Sequence, residues 1–236
     1  TDTGATYALN TQYTIITADG GVTGTFDNVT ENFAYLTAAV EKSVDQKSMF
    51  LTLNRTTTDP GAFAAAVSTR NAKSAANAVE ALGSGNTLYD KALYLRADET
   101  QTAFAQLSGE LHASVGAALT ERSRFSRDAI LNRLRDAFAP ETPAGSGNAG
   151  LGANPSSLDG VTVWSHGFGS WSDYGSDGNG AAVDVNGGGL LMGADTRVGD
   201  NWRFGLAGGY GQDRVSENAL DASADVGSYY IAAYGG

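Results

Sequence analysis

Between Trp202 and Gly211 the chain alternates without a break: Trp202, Phe204, Leu206, Gly208 and Tyr210 fall on one side of an extended backbone, and Arg203, Gly205, Ala207, Gly209 and Gly211 on the other. A period of two marks a strand with two unlike faces. One face is apolar with aromatic ends, the other small and polar. The stretch before it repeats the pattern, with Leu190, Met192 and Ala194 opposite Gly193, Asp195 and Arg197. From Gly160 onward we expect four strands, Val161 to Asp173, Asp184 to Val198, Trp202 to Arg214 and Ala222 to Gly235. Each is longer than the five or six residues usual in soluble sheets. In the first and fourth, aromatic residues fall on both alternations (Trp164 and Phe168 against Trp171; Tyr229 against Tyr230 and Tyr234), so pattern alone does not assign their faces. The connections alternate in length: a polar, glycine-rich loop from Tyr174 to Val183, a tight turn at Gly199-Asp200-Asn201, and a longer polar loop from Val215 to Asp221.

The first half of the chain reads differently. Residues 1 to about 57 carry short strand signals, Tyr13 to Thr17, Val22 to Phe26, Phe33 to Val40 and Met49 to Leu53, with a turn at Asp19-Gly20-Gly21. Strand spacing of this kind suits a solenoid or a sandwich. An alanine-rich stretch, Ala62 to Leu82, predicts a helix stopped by Gly83-Ser84-Gly85, and a second short helix is expected from Asn86 to Leu95. A longer helix is expected from Thr100 to Phe138, where Phe104, Leu107, Leu111, Val115, Ala118, Phe125, Ala129 and Leu134 recur at spacings near three and four. It carries a basic run, Arg122, Arg124, Arg127, Arg133 and Arg135, with Asp128 as the acid between them. Pro140 and Pro143 end the helix, and Gly145 to Ser157 reads as a linker.

Composition narrows the class. Thirty-one glycines against 4 prolines, 10 tyrosines and 17% charged residues describe a chain of close backbone approaches and half-buried rings, which favours sheet. The net charge of −11 argues against nucleic acid as a partner, because phosphate binding needs a cationic face. With no cysteine there is no disulfide framework, thiolate nucleophile or cysteine metal site. No apolar run reaches the roughly 20 residues a membrane-spanning helix needs. A transmembrane barrel, however, needs only segments of about ten alternating residues, with long loops on one side and short turns on the other. The start of the sequence carries no signal peptide, which suggests a mature or excised segment.

Several stretches resemble the carboxy-terminal region of type V autotransporters. Tyr13 to Ala18, Gly24-Thr25-Phe26-Asp27, Phe33 to Leu36 and Phe50 to Leu53 are similar to the last passenger rungs of that family. Ala105-Gln106-Leu107-Ser108-Gly109-Glu110-Leu111-His112-Ala113-Ser114 resembles its connector motif. Val163-Trp164 with Gly167-Phe168-Gly169, then Gly193-Ala194-Asp195, Asn201-Trp202-Arg203 and Gly208-Gly209-Tyr210, resemble its opening barrel strands. The resemblance implies a mixed, mainly β fold. Residues 1–57 would be the end of a passenger β-solenoid that helps the passenger fold, 58–138 a helical connector, 139–159 a linker or pore segment, and 160–236 the first four antiparallel strands of a transmembrane β-barrel. It implies an outer-membrane translocator that anchors and exports its own passenger to the cell surface, with outer-membrane lipid, the barrel-assembly machinery, periplasmic chaperones and that passenger as partners. The family barrel closes with about twelve strands and four cannot close a pore, so the sequence is expected to be a fragment. The Asn-Asn pair at which some relatives cut themselves is missing, which leaves release of the passenger open.

The resemblance transfers no catalytic, cofactor-binding or metal-binding residue, and none is expected here. Gly145-Ser146-Gly147-Asn148-Ala149-Gly150 matches the dinucleotide fingerprint in letters, but it follows a helix and a proline instead of a strand. Ser108, Glu110 and His112 supply the residue types of a hydrolase triad, yet positions two apart on one helix point to different sides. Asp173, Asp177 and Asn179 miss the EF-hand spacing, and His166 has no metal-binding neighbour in sequence. Two other readings place the activity upstream of residue 1: a surface adhesin, or a cell-surface hydrolase of protease or esterase type.

Overall fold

The structure, a computed structural model, describes residues 7–138, 156–158 and 160–236. It divides into two compact units, Thr1–Ser108 and Gly109–Gly236. The linker expected after Pro140 and the glycine motif at 145–150 lie outside the described residues, except that Ser156–Leu158 forms a short strand.

In the first unit, β1 (Tyr13–Thr17), β2 (Leu36–Lys42) and β3 (Ser48–Arg55) make an antiparallel sheet in the order β1-β3-β2. Residues 22–26, expected as a strand, are irregular, and the strand expected from Phe33 starts at Leu36, with Phe33 in an isolated bridge to Arg96. The helix expected over 62–82 is two helices, α1 (Ala62–Ala65) and α2 (Arg70–Leu82). Thr69 causes the break: its hydroxyl accepts from the Ala72 amide at 3.3 Å and caps α2, a local bond that competes with continuing the first helix. Next come α3 (Thr87–Leu93), capped by Asn86, and α4 (Thr100–Leu107).

The core of this unit is aromatic. Phe63 is fully buried, with ring centroids 4.5 Å from Tyr35, 5.3 Å from Tyr89 and 6.1 Å from Phe104. Arg55 lies over the Phe63 and Tyr89 rings and pairs with Glu80 at 3.0 Å. The other Glu80 oxygen accepts from the Gly61 and Phe63 amides, so one carboxylate both neutralises the guanidinium and holds the start of α1.

The long helix expected over 100–138 is also divided. Gly109 takes φ +73°, a left-handed conformation that glycine adopts without strain, and it separates α4 from α5 (Glu110–Phe138). In the second unit, β4 (Ser156–Leu158), β5 (Val161–Tyr174), β6 (Val183–Val198), β7 (Trp202–Glu217) and β8 (Ala222–Gly235) form an antiparallel sheet in chain order. The four long strands fall within a few residues of their expected limits. The longer loop expected over 215–221 is instead a short 3-10 turn, Asn218–Leu220, because β7 continues in register with β8 up to Glu217↔Ala222. The chain is thus mainly β, with antiparallel sheets and helices.

Tyr35 is buried and donates its hydroxyl proton to the Phe63 carbonyl at 3.0 Å. Burial pushes its phenol up to about 12. A raised acid pKa means that the folded state holds the proton more tightly, so this stabilisation is complete below the ordinary tyrosine value near 10 and is lost as pH climbs toward 12. Unfolding by denaturant followed between these limits should show the first unit losing on the order of 2 kcal/mol, a loss that Tyr35→Phe removes.

Candidate functional site

The alternation seen in the sequence becomes two chemically distinct sheet faces. On one, Leu206, Tyr229 and Ile231 are 68%, 86% and 94% exposed, and Leu190, Met192, Trp202, Phe204 and Tyr210 lie with them. On the other, Trp164, Leu191, Asp195, Ala207, Asp213, Val215 and Glu217 are buried. Burial settles the two strands that pattern left open. Trp164 and Phe168 of β5 and Tyr230 and Tyr234 of β8 turn inward, whereas Trp171 and Tyr229 turn outward.

The inner face is covered by α5. Ala118 packs in a cluster with Val183, Val185 and Val215, and Ala129 in a second with Trp164, Leu191 and Ala207. The basic run divides over these contacts. Arg124, Arg127 and Arg135 face water, but Arg122 and Arg133 lie against the sheet. Arg122 pairs with Asp213, both about 3% exposed, and donates to the Ser170 hydroxyl at 2.7 Å. Arg133 grips Asp195 with two parallel bonds of 2.8 and 2.9 Å, the bidentate geometry that guanidinium and carboxylate favour. Arg203, from β7, reaches the same carboxylate at 2.8 Å. Tyr234 donates to it at 2.9 Å and accepts from the Trp164 indole at 2.5 Å. A fully buried carboxylate is thus matched by two cations and a hydroxyl. Nearer the start of α5, Ser114 donates to buried Glu217 at 2.8 Å, and Glu110 accepts from the Ala181 amide at 3.0 Å.

Inward-facing glycines make room for this. A Cβ at Gly187 would collide with the Asp213 carboxylate and lie 2.7 Å from an Arg122 nitrogen. At Gly193 and Gly189 it would come within 2.5 Å of the Trp164 and Phe168 rings on the neighbouring strand. Trp164 and Phe168 are the register partners of those two glycines, so each ring occupies the space of a missing side chain.

The other residues singled out in the sequence are not brought together. Ser108 donates to the Ala105 carbonyl, Glu110 is held at Ala181, and His112 is exposed. Gly109 separates Ser108 from the helix that holds the other two, so the expectation that all three share one helix is corrected. Asp177 accepts from the Asn179 and Gly180 amides and shapes its own loop. His166 lies on the inward alternation of β5. Sequence reasoning missed Asp195, Asp213 and Glu217 as a set. The available signal was three acids on the inward alternation of strands whose other inward positions are small.

Removing Asp195 would leave Arg133 and Arg203 facing each other without a counter-charge. Breaking one side of a buried pair costs about 3 to 5 kcal/mol. Asp195→Ala should therefore lower the unfolding midpoint of the second unit by far more than Asp225→Ala, whose partner Arg214 is exposed; a denaturant titration of both variants checks this.

Residues 163–236 match the family described as "Autotransporter beta-domain". Along its length the chain is similar to two proteins named "Extracellular serine protease" from Serratia marcescens. One is 26% identical over 96% of this chain and 24% of its own length, the other 27% identical over 86% and 22%. The chain thus spans about a quarter of the length of these relatives. No solved structure matches. The stretch that matches the autotransporter β-domain family is the one that folds into the alternating strands β5 to β8.

Proposed function

We propose that residues 160–236 are the opening strands of an outer-membrane β-barrel whose lumen holds α5, and that this barrel anchors and exports its own amino-terminal passenger to the cell surface. The observation that carries this reading is the outer face. Its apolar positions form one band across four strands: Val161 to Trp171, Leu190 to Val198, Trp202 to Tyr210 and Tyr229 to Gly235. The first three of these segments run nine to eleven residues, the length a tilted strand needs to cross the hydrocarbon core, and the fourth runs seven. Beyond the band, toward the 175–182 loop, the outward positions turn polar at Asp173, Asn186, Gln212 and Asp225. A soluble sheet would need a second layer over such a face, and lipid supplies one. Among the described residues no helix is long and apolar enough to cross a membrane.

In this arrangement the tight turn at residues 199–201 faces the periplasm and the 175–182 loop faces outward. The inner face is polar enough to hold arginines that lipid would reject. Export through such a barrel uses no ATP at the membrane, so folding outside the cell biases its direction. Residues 1–57 fit the end of a passenger β-solenoid: their antiparallel sheet differs from parallel-stacked rungs, and terminal units of solenoids are atypical because they cap. The barrel-assembly machinery and periplasmic chaperones belong to the same reading. The similarity to extracellular serine proteases favours a hydrolase over an adhesin as the passenger.

Expressed from its complete gene in a Gram-negative host, the protein should fractionate with the outer membrane, resist protease and migrate in a heat-modifiable form. A soluble, heat-insensitive product would overturn the reading. Leu51 sits at the centre of β3 between Tyr13 and Val40, so Leu51→Asp puts a charge in the middle of the sheet. It should cut surface passenger several-fold while leaving the barrel heat-modifiable.

A further inference from the structure

The two inward arginines of α5 are eleven residues apart, and each follows a buried alanine by four: Ala118 then Arg122, Ala129 then Arg133. Eleven residues are three helical turns, so the two units present the same face. Each alanine fills a packed apolar cluster of the sheet, and each arginine meets a buried carboxylate, Asp213 or Asp195. We infer that this repeated unit is a register stop: an exported chain comes to rest in the barrel only where both guanidinium groups meet their carboxylates and both alanines meet their clusters. The inference rests on the proposed translocator reading and adds to it the positioning residues that fix where the chain halts.

The sequence itself contains the competing register. Arg124 and Arg135 are also eleven apart and would satisfy the same two carboxylates if α5 advanced by two residues and turned. In that register Thr120 and Leu131 would take the alanine places. Leu131 would then have to enter the space between Trp164, Leu191 and Ala207 that a methyl group now fills. Overfilling a packed site is disfavoured, so the alanines weigh against the second arginine pair, as do the Ser114–Glu217 and Glu110–Ala181 bonds that the shift would break. Charge supplies the attraction and side-chain volume sets the register.

Cross-linking from α5 to the wall reads the register directly, and residues 1–236 contain no native cysteine to compete. Ser114 touches Glu217, so S114C/E217C in the complete protein should be joined by a short bifunctional thiol reagent in isolated outer membranes. In the R122Q/R133Q background this link is expected to fall about tenfold. Adding T120A/L131A should transfer it to G116C/E217C, two residues along. R122K/R133K, which keeps both charges at their spacing, should retain the link at 114. A heat-modifiable R122Q/R133Q protein that still cross-links at 114, or a T120A/L131A protein with no preference for 116, would overturn the stop while leaving the translocator reading intact. A parent protein absent from the outer membrane would overturn both.

Discussion

A guanidinium group keeps its proton at any physiological pH, so an arginine can leave water only where an opposite charge already stands. The second unit is organised around that constraint. Asp195 and Asp213 sit on adjacent strands at inward positions, and the helix that covers the sheet meets them with Arg133 and Arg122. The glycines opposite, the tyrosine and tryptophan that complete the Asp195 shell, and the alanines one turn before each arginine all follow from the need to bring helix and sheet close enough for those pairs to form. Ion pairs of this depth add little net stability, because dehydrating the charges offsets much of their attraction, although removing one partner is costly. They state where α5 may lie on the sheet, and a smooth apolar face could not.

Much of the sheet was legible in the sequence because a period of two sustained over ten residues fits almost no backbone but an extended one. The limits of β5, β6 and β8 to within a residue, and the exposed set on β6 and β7, follow from alternation, whereas the last three residues of β7 read as loop. Aromatic residues defeated the same reasoning in β5 and β8, since a ring serves equally well at a lipid boundary or over an inward glycine. Trp164 and Trp171 are the same residue type on opposite faces, one buried beside Gly193 and the other exposed beside Gly169, and only burial tells them apart. The two broken helices were missed for a related reason. Apolar periodicity runs through Ser108-Gly109 and Ser68-Thr69 uninterrupted, and what stops the helix is one glycine dihedral in the first case and one hydroxyl bond in the second.

The inner site was legible only in part. The arginine run stood out in the sequence, but a solvated face and a sheet-facing one have the same composition, and both are present: Arg124, Arg127 and Arg135 belong to the first and Arg122 and Arg133 to the second. The division depends on which residues of a distant strand lie beneath each turn, and that pairing is a property of the fold. Buried acids scattered over β6 and β7 carry no local motif. Their meaning appears once Gly187 is paired with Asp213 and Asp195 lies further along the same strand.

The long strands do not end where the apolar band ends. Beyond Tyr210, β7 continues through Gln212, Arg214 and Ser216 on the side of the 175–182 loop, still hydrogen-bonded to β6 and β8, for about 20 Å of strand. In the proposed orientation the sheet therefore rises above the lipid as a rigid polar rampart. Flexible loops can vary freely in sequence, whereas a hydrogen-bonded wall keeps its shape. The most constant part of that outer surface would then be its collar of strands.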